Sequence, residues 1–150
     1  MTEIWKPSVT VAAIVERDRR FLLVEEEVNG AIVLNQPAGH WERDETLIQA
    51  CSREAREETG YDFVPTRLVG VYRWCFAPED VTFLRFAFAG DLTGWDPERN
   101  LDKEIRRLVW LDLEALRATA PRHRSPLVLR CVEDYLAGRL FPIDILADPS

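Results

Sequence analysis

Residues 39–61 read GHWERDETLIQACSREAREETGY, and three glutamates in this stretch stand where stability alone would not put them. The spacing predicts a helix from Glu45 to Thr59, with Asp44 as its N-cap, an apolar stripe behind it, and Gly60 as the left-handed stop. Positions i, i+3 and i+4 are neighbours on a helix surface, so Glu54, Glu57 and Glu58 share one edge. Leu47, Ile48, Cys51 and Ala55 form the apolar stripe beside that edge, and Gln49, Ser52, Arg53 and Arg56 take the far side. Two of the three acids fall in the last turn, where the helix dipole disfavours negative charge by roughly 0.3–1 kcal/mol each. Repulsion within the cluster adds to that cost. Such an arrangement calls for a cation. A ligand set of oxygen atoms, without Cys or His, points to a hard one, Mg²⁺ or in its place Mn²⁺.

The same stretch resembles the Nudix box. Gly39, then Glu45, then Arg53-Glu54-Ala55-Arg56-Glu57-Glu58-Thr59-Gly60-Tyr61 stand at the family's spacing, with no departure at a defining position. At average residue usage such a match arises by chance on the order of once in a hundred million windows, which overturns the reading of EAREE as a plain solvated face. Outside the box, PSVTVAAIV, VEEEVNG, NQPAGHWERDETL, FLRFAF and RSPLV are similar to a bacterial phosphatase subgroup of the family, over roughly residues 7–145. The resemblance implies an α+β Nudix fold, a mixed sheet sandwiched between helices. It also implies the site roles. Glu57 and Glu58 become metal ligands, Glu54 a ligand or the base that activates water, and the carbonyl of Ala38 or Gly39 a further ligand. Arg53 would hold the glutamates in place, with Glu45 as its charge partner. Glu104 is the candidate for an acid brought in from a distant loop, as ligand or base, with Asp102 as its substitute.

The rest of the chain is consistent with a small soluble enzyme. Its 150 residues fit one domain. Hydrophobic content of 47% with five Trp and seven Phe suffices for a core, and no apolar run approaches the ~20 residues that span a bilayer. The opening MTEIWKPS has neither the basic start nor the apolar stretch of a signal peptide, so the expected location is cytoplasmic. Cys51, Cys75 and Cys131 form no CxxC pair and are expected as buried reduced thiols. A net charge of −7 argues against a protein that holds nucleic acid by neutralising phosphates. It leaves room for a small phosphorylated substrate, since a divalent metal screens the local anions. Monomer and homodimer both remain open.

Along the chain, strands are expected at 8–16, at 21–28 and at AIVL, the last two joined by a tight turn at Asn29-Gly30. Pro37 should end strand pairing. Further strands are expected near 67–76, 81–89 and 105–111, with Asp112 capping a short LEALRA helix and Ser125-Pro126 opening a last helix that Gly138 ends.

No Ser-His-Asp or Cys-His set can be assembled from the two histidines, so any base must be a carboxylate or a metal-bound hydroxide. His123, in a basic turn, reads as solvated surface, and His40 as a residue near substrate. For substrate binding, Arg73-Trp74 and Arg85-Phe86 could clamp phosphates and stack a heterocycle, although Trp74, Phe83 and Phe86 also read as core. Arg124 could meet a phosphate. The expected activity is Mg²⁺-dependent hydrolysis of small organic di- and triphosphates. By resemblance this means terminal phosphate release from nucleoside di- and triphosphates and from hydroxymethylpyrimidine pyrophosphate. The rivals are cleavage of an internal linkage, as in ADP-ribose or dinucleoside polyphosphates, and a silent nucleotide-binding sensor.

Overall fold

Apolar β-branched runs build two sheets. In the computed structural model, which describes residues 2–150, β1 (Ser8–Ile14) is an inner strand of the larger one, next to its edge. It pairs antiparallel with the edge strand β5 (Ala38–His40) and parallel with β7 (Val81–Trp95). β7 forms a long antiparallel ribbon with β6 (Tyr61–Phe76), and β9 (Phe141–Pro142) adds to the outer edge, giving the order β5-β1-β7-β6-β9. The second sheet joins β2 (Glu16–Arg17), β3 (Arg20–Val28) and β4 (Ala31–Asn35), with β8 (Ile105–Leu111) on the free side of β3. Its two hairpins turn through two residues with positive φ, Asp18-Arg19 (52° and 65°) and Asn29-Gly30 (51° and 82°), the geometry that matches strand twist.

The larger sheet is covered on both faces. Side chains alternate along a strand, so Val11, Ala13, Phe88, Phe63 and Leu68 meet Ala50, Cys51 and Ala55 of α1 (Leu47–Thr59) on one side. On the other, Ala87, Val69 and Tyr72 meet Val128, Cys131 and Val132 of α3 (Leu127–Leu136). The short α2 (Leu113–Ala118) is capped by Asp112 as expected and packs on α3's side through Leu116. This is the α+β sandwich that the box implied. Among the described residues no helix is long and apolar enough to cross a membrane.

Several local expectations need correction. α1 starts two residues later than expected, at Leu47, and its cap is Thr46 rather than Asp44. Thr46 Oγ1 accepts from Gln49 N–H at 3.0 Å and Gln49 Oε1 from Thr46 N–H at 2.9 Å, a reciprocal capping box that sequence spacing contained. Asp44 sits instead in a left-handed turn, φ 67°. The pairing of β4 ends at Asn35, just before Pro37, and the chain crosses there to the other sheet, where β5 pairs with β1. β6 and β7 extend back to Tyr61 and on to Trp95, absorbing bulges at Pro65 and Leu68. Cys75 is exposed, whereas Cys51 and Cys131 are buried. His123 is half-buried and lies within hydrogen-bonding distance of Thr119, 3.2 Å.

Candidate active site

α1 sits on one face of the sheet, yet its acids reach the cavity over the edge strand β5. Gly39 makes this possible. It is paired with Val11, whose side chain faces α1, so a Cβ at residue 39 would run into the Glu54 carboxylate. The bonds from Ala13 N–H to Pro37 O (2.9 Å) and from Trp41 N–H to Val9 O (3.0 Å) flank the Val11–Gly39 pair. In an antiparallel ladder the polar groups of alternate residues turn outward. The Gly39 carbonyl is therefore inside the ladder, and that of Ala38 is turned away from it. Of the two expected carbonyls, only Ala38 presents its backbone outward, and its N–H donates to Glu58 Oε1 at 2.9 Å.

Arg53 ties the acids together. Its Nε and Nη2 hold Glu45 at 3.0 and 2.8 Å, its Nη1 holds Glu54 at 2.8 Å and Glu57 at 3.3 Å, and Nη2 also donates to the His40 carbonyl. Glu45 is held below the usual carboxylate range by that guanidinium. The loop before β8 docks on the end of α1: Asp102 N–H caps the Glu57 carbonyl at 3.1 Å, and Asp96 N–H bonds Gly60 O at 2.9 Å. One orphan carbonyl of the last helical turn is thus satisfied by the segment that delivers the distant acids. Two triads result, Glu54-Glu57-Asp102 and Glu58-Asp102-Glu104, each with ligand oxygens within 4.8 Å of one another. Asp102, expected only as a substitute for Glu104, belongs to both.

The electrostatics suit a site for a cation. Glu54 is 8% exposed, and burial lifts its pKa to about 7 against the pull of Arg53. Glu58 is 5% exposed, and burial lifts it to about 9, with Glu26, Glu54 and Asp102 adding repulsion that the Ala38 N–H only partly offsets. Asp102 is raised by burial and by Glu104 and Glu57. Among the described residues no cationic side chain pairs with Glu58. An all-carboxylate donor set, buried and short of positive charge, suits a hard divalent ion that displaces the bound proton.

These acids open into a cavity of about 500 Å³ that continues under the α3 face of the large sheet. Its lining includes His40, Trp74, Phe83, Arg85 and Arg124. His40 Nδ1 lies 3.2 Å from Ser8 Oγ, and Arg124 donates to Glu26 at 2.8 Å. Arg73 and Phe86 are not there. Tyr72 and Trp74 face α3, so the intervening Arg73 projects from the opposite face and is exposed. Phe86 alternates with Arg85 and packs in the α1-side core. Sequence reasoning missed Glu26, Asn35 and Gln36, all buried. Their signal was available, since each is a polar residue closing or interrupting an otherwise apolar strand.

The family follows from this geometry and from kinship. The NUDIX domain family matches residues 6–131, and the chain belongs to it: it is a Nudix hydrolase, an enzyme acting on pyrophosphate bonds. Over 145 residues it is 40% identical to Phosphatase NudJ of Escherichia coli K12, a match covering 97% of this chain and 94% of that one. Phosphatase NudJ of Shigella flexneri matches equally, at 40%. Among solved structures, a NUDIX hydrolase from Nitrosomonas europaea superposes with a TM-score of 0.93 at 52% identity, covering 95% of this chain and 97% of that one. The Escherichia coli ORF135 protein superposes at 0.71 with 26% identity, covering 89% and 91%.

Proposed function

We propose that this Nudix hydrolase is a Mg²⁺-dependent phosphatase of small organic di- and triphosphates, with Mn²⁺ able to substitute. It would release terminal phosphate from nucleoside di- and triphosphates and from hydroxymethylpyrimidine pyrophosphate. The observation that carries the reading is the pair of carboxylate triads sharing Asp102 at the mouth of a cavity whose other end holds an aromatic pair and arginines. The flanking sequence supports the subgroup, in keeping with 40% identity to Phosphatase NudJ.

Glu54, Glu57, Glu58, Asp102 and Glu104, with the Ala38 carbonyl, would hold the cation. When bound, such an ion screens phosphate oxygens and lowers the pKa of a bound water. The chain does the rest. Arg53 fixes the carboxylates in one geometry, which matters because phosphoryl transfer depends on positioning more than on covalent help. Where the other acids hold the cation, Glu54 would instead accept the proton from the attacking water. Arg124 meets phosphate at the rim, while Trp74 and Phe83 offer aromatic surface to a ring. His40 lines the wall beside them.

The test is to incubate the enzyme with Mg²⁺ and a panel of nucleoside di- and triphosphates, hydroxymethylpyrimidine pyrophosphate and ADP-ribose, and to separate the products over time. Inorganic phosphate is expected from the first three. Exclusive pyrophosphate from triphosphates, or a strong preference for ADP-ribose, would overturn the reading in favour of internal cleavage.

A further inference from the structure

The far end of the cavity holds a buried ion that touches no carboxylate among the described residues, the nearest link being through Asn35 to Glu26. Arg85 is 5% exposed. Its Nη1 donates to Gln36 Oε1 at 2.8 Å and its Nη2 to Asn35 Oδ1 at 2.9 Å. Gln36 is in turn fixed by donating to the Val128 carbonyl of α3 at 2.7 Å. Among the described residues no carboxylate lies within salt-bridge distance of this guanidinium. Two amide oxygens and, more loosely, the Cys131 sulfur at 3.9 Å from Nη1 meet three of the five N–H groups of this arginine. Burying a cation is costly unless it is paired, so a fork held rigid on neutral acceptors and lining a cavity is prepared for an acceptor that arrives with a ligand.

Strand register decides which part of the ligand that is. The Ala38 N–H anchors Glu58 on β5, and Arg85 stands on β7, with β1 between. Arg85 is level with His40 through Thr10, two residues along from Ala38, so two strand spacings of about 4.8 Å and an offset of about 7 Å put the two backbones roughly 12 Å apart. A substrate whose reacting phosphate sits at the acid triads therefore carries its organic portion across β1 towards Arg85. There Phe83, two residues along the same strand face, is stacked on Trp74 with centroids 5.8 Å apart. We propose that Arg85 is a specificity-determining residue, whose fork donates to an acceptor on the substrate's heterocycle, a ring carbonyl or ring nitrogen, and not to its phosphates. This rests on the proposed site for the reacting phosphate and adds to it the class of group read at the opposite end. A flexible ammonium lacks the planar fork, so lysine should not replace it.

The experiment compares wild type, Arg85→Lys and Arg85→Met, each checked by melting temperature, on a nucleoside triphosphate and on inorganic tripolyphosphate with Mg²⁺. In parallel, the affinities for a nucleoside monophosphate and for inorganic phosphate are measured without metal. The nucleotide-to-inorganic ratio, in kcat/KM and in affinity, should fall about tenfold or more in both variants, the range for a lost charged hydrogen bond. A ratio in Arg85→Lys within twofold of wild type, whether or not both values fall, would overturn the proposal. If wild type releases no phosphate from any substrate, the proposed activity fails, while the binding ratios still decide the role of Arg85.

Discussion

The two ends of the cavity carry opposite electrostatic errors. At the α1 end, Glu54 and Glu58 are buried in a group of acids for which Arg53 is the principal cation. At the β7 end, Arg85 is buried against amide oxygens. Each would be corrected by its neighbour, yet β1 lies between the strands that hold them. A fold that separates unbalanced charges of both signs within one 500 Å³ space stores a preference for a ligand with complementary ends. The acid end fits a cation and phosphate, and the arginine end fits a polar ring.

The contrast can be broken most sharply at the acid end. Glu57→Gln or Glu58→Gln should lower turnover roughly a hundredfold or more, while the metal-free protein at pH 7 melts at nearly the same temperature, because Glu58, with a pKa of about 9, is already protonated there and Glu57→Gln exchanges relief of repulsion and of the dipole contact for the loss of its contact with Arg53. A clear drop in the metal-free melting temperature would make these residues structural. Chelation should abolish hydrolysis, and Mg²⁺ or Mn²⁺ should restore it where Zn²⁺ restores it poorly, read by phosphate release.

Asp102→Asn should cost more than Glu104→Gln, since Asp102 serves both triads. We expect a further factor of about ten in kcat/KM. Equal losses would mean that the shared position has no special weight.

Proton linkage gives a subtler test. Glu58 and Glu54 have folded pKa values of about 9 and about 7, above the ordinary 4.5, so the folded protein binds more protons than the unfolded chain. Their contribution to stability is complete below pH 4.5 and is lost as pH rises through 7 and towards 9. The metal-free melting temperature should fall across that window, less so in Glu58→Gln, and added Mg²⁺ should reverse the trend. The smallest expected effect lies outside both ends: Thr46→Ala should cost about 0.5–2 kcal/mol of stability by denaturant melt through loss of the cap, with kcat per folded molecule retained.

What could be read from the sequence follows the same division. Glu54, Glu57 and Glu58 are local to one helix, so a fixed period places them on one edge before any tertiary structure exists. Arg85, Trp74 and Asn35 come from three strands, and Gln36 from the link after β4, so their meeting depends on register. That is why Arg73 and Phe86 were placed in the cavity by sequence adjacency, although one step along a strand turns a side chain to the other face. Bulges in β6 add shifts that no periodicity predicts. Asp102 and Glu104 were legible as acids near a strand entry. Their meeting with α1 was not, because it depends on a backbone bond to Glu57 that carries no side-chain signature.

Gly39 has one more consequence. Where Glu54 presses on β5, the partition between helix and sheet is bare main chain. The group that would join the carboxylates there is the peptide carbonyl of Ala38, which every amino acid possesses. A wall of that kind is invisible to side-chain substitution at Ala38 and closed to it at Gly39.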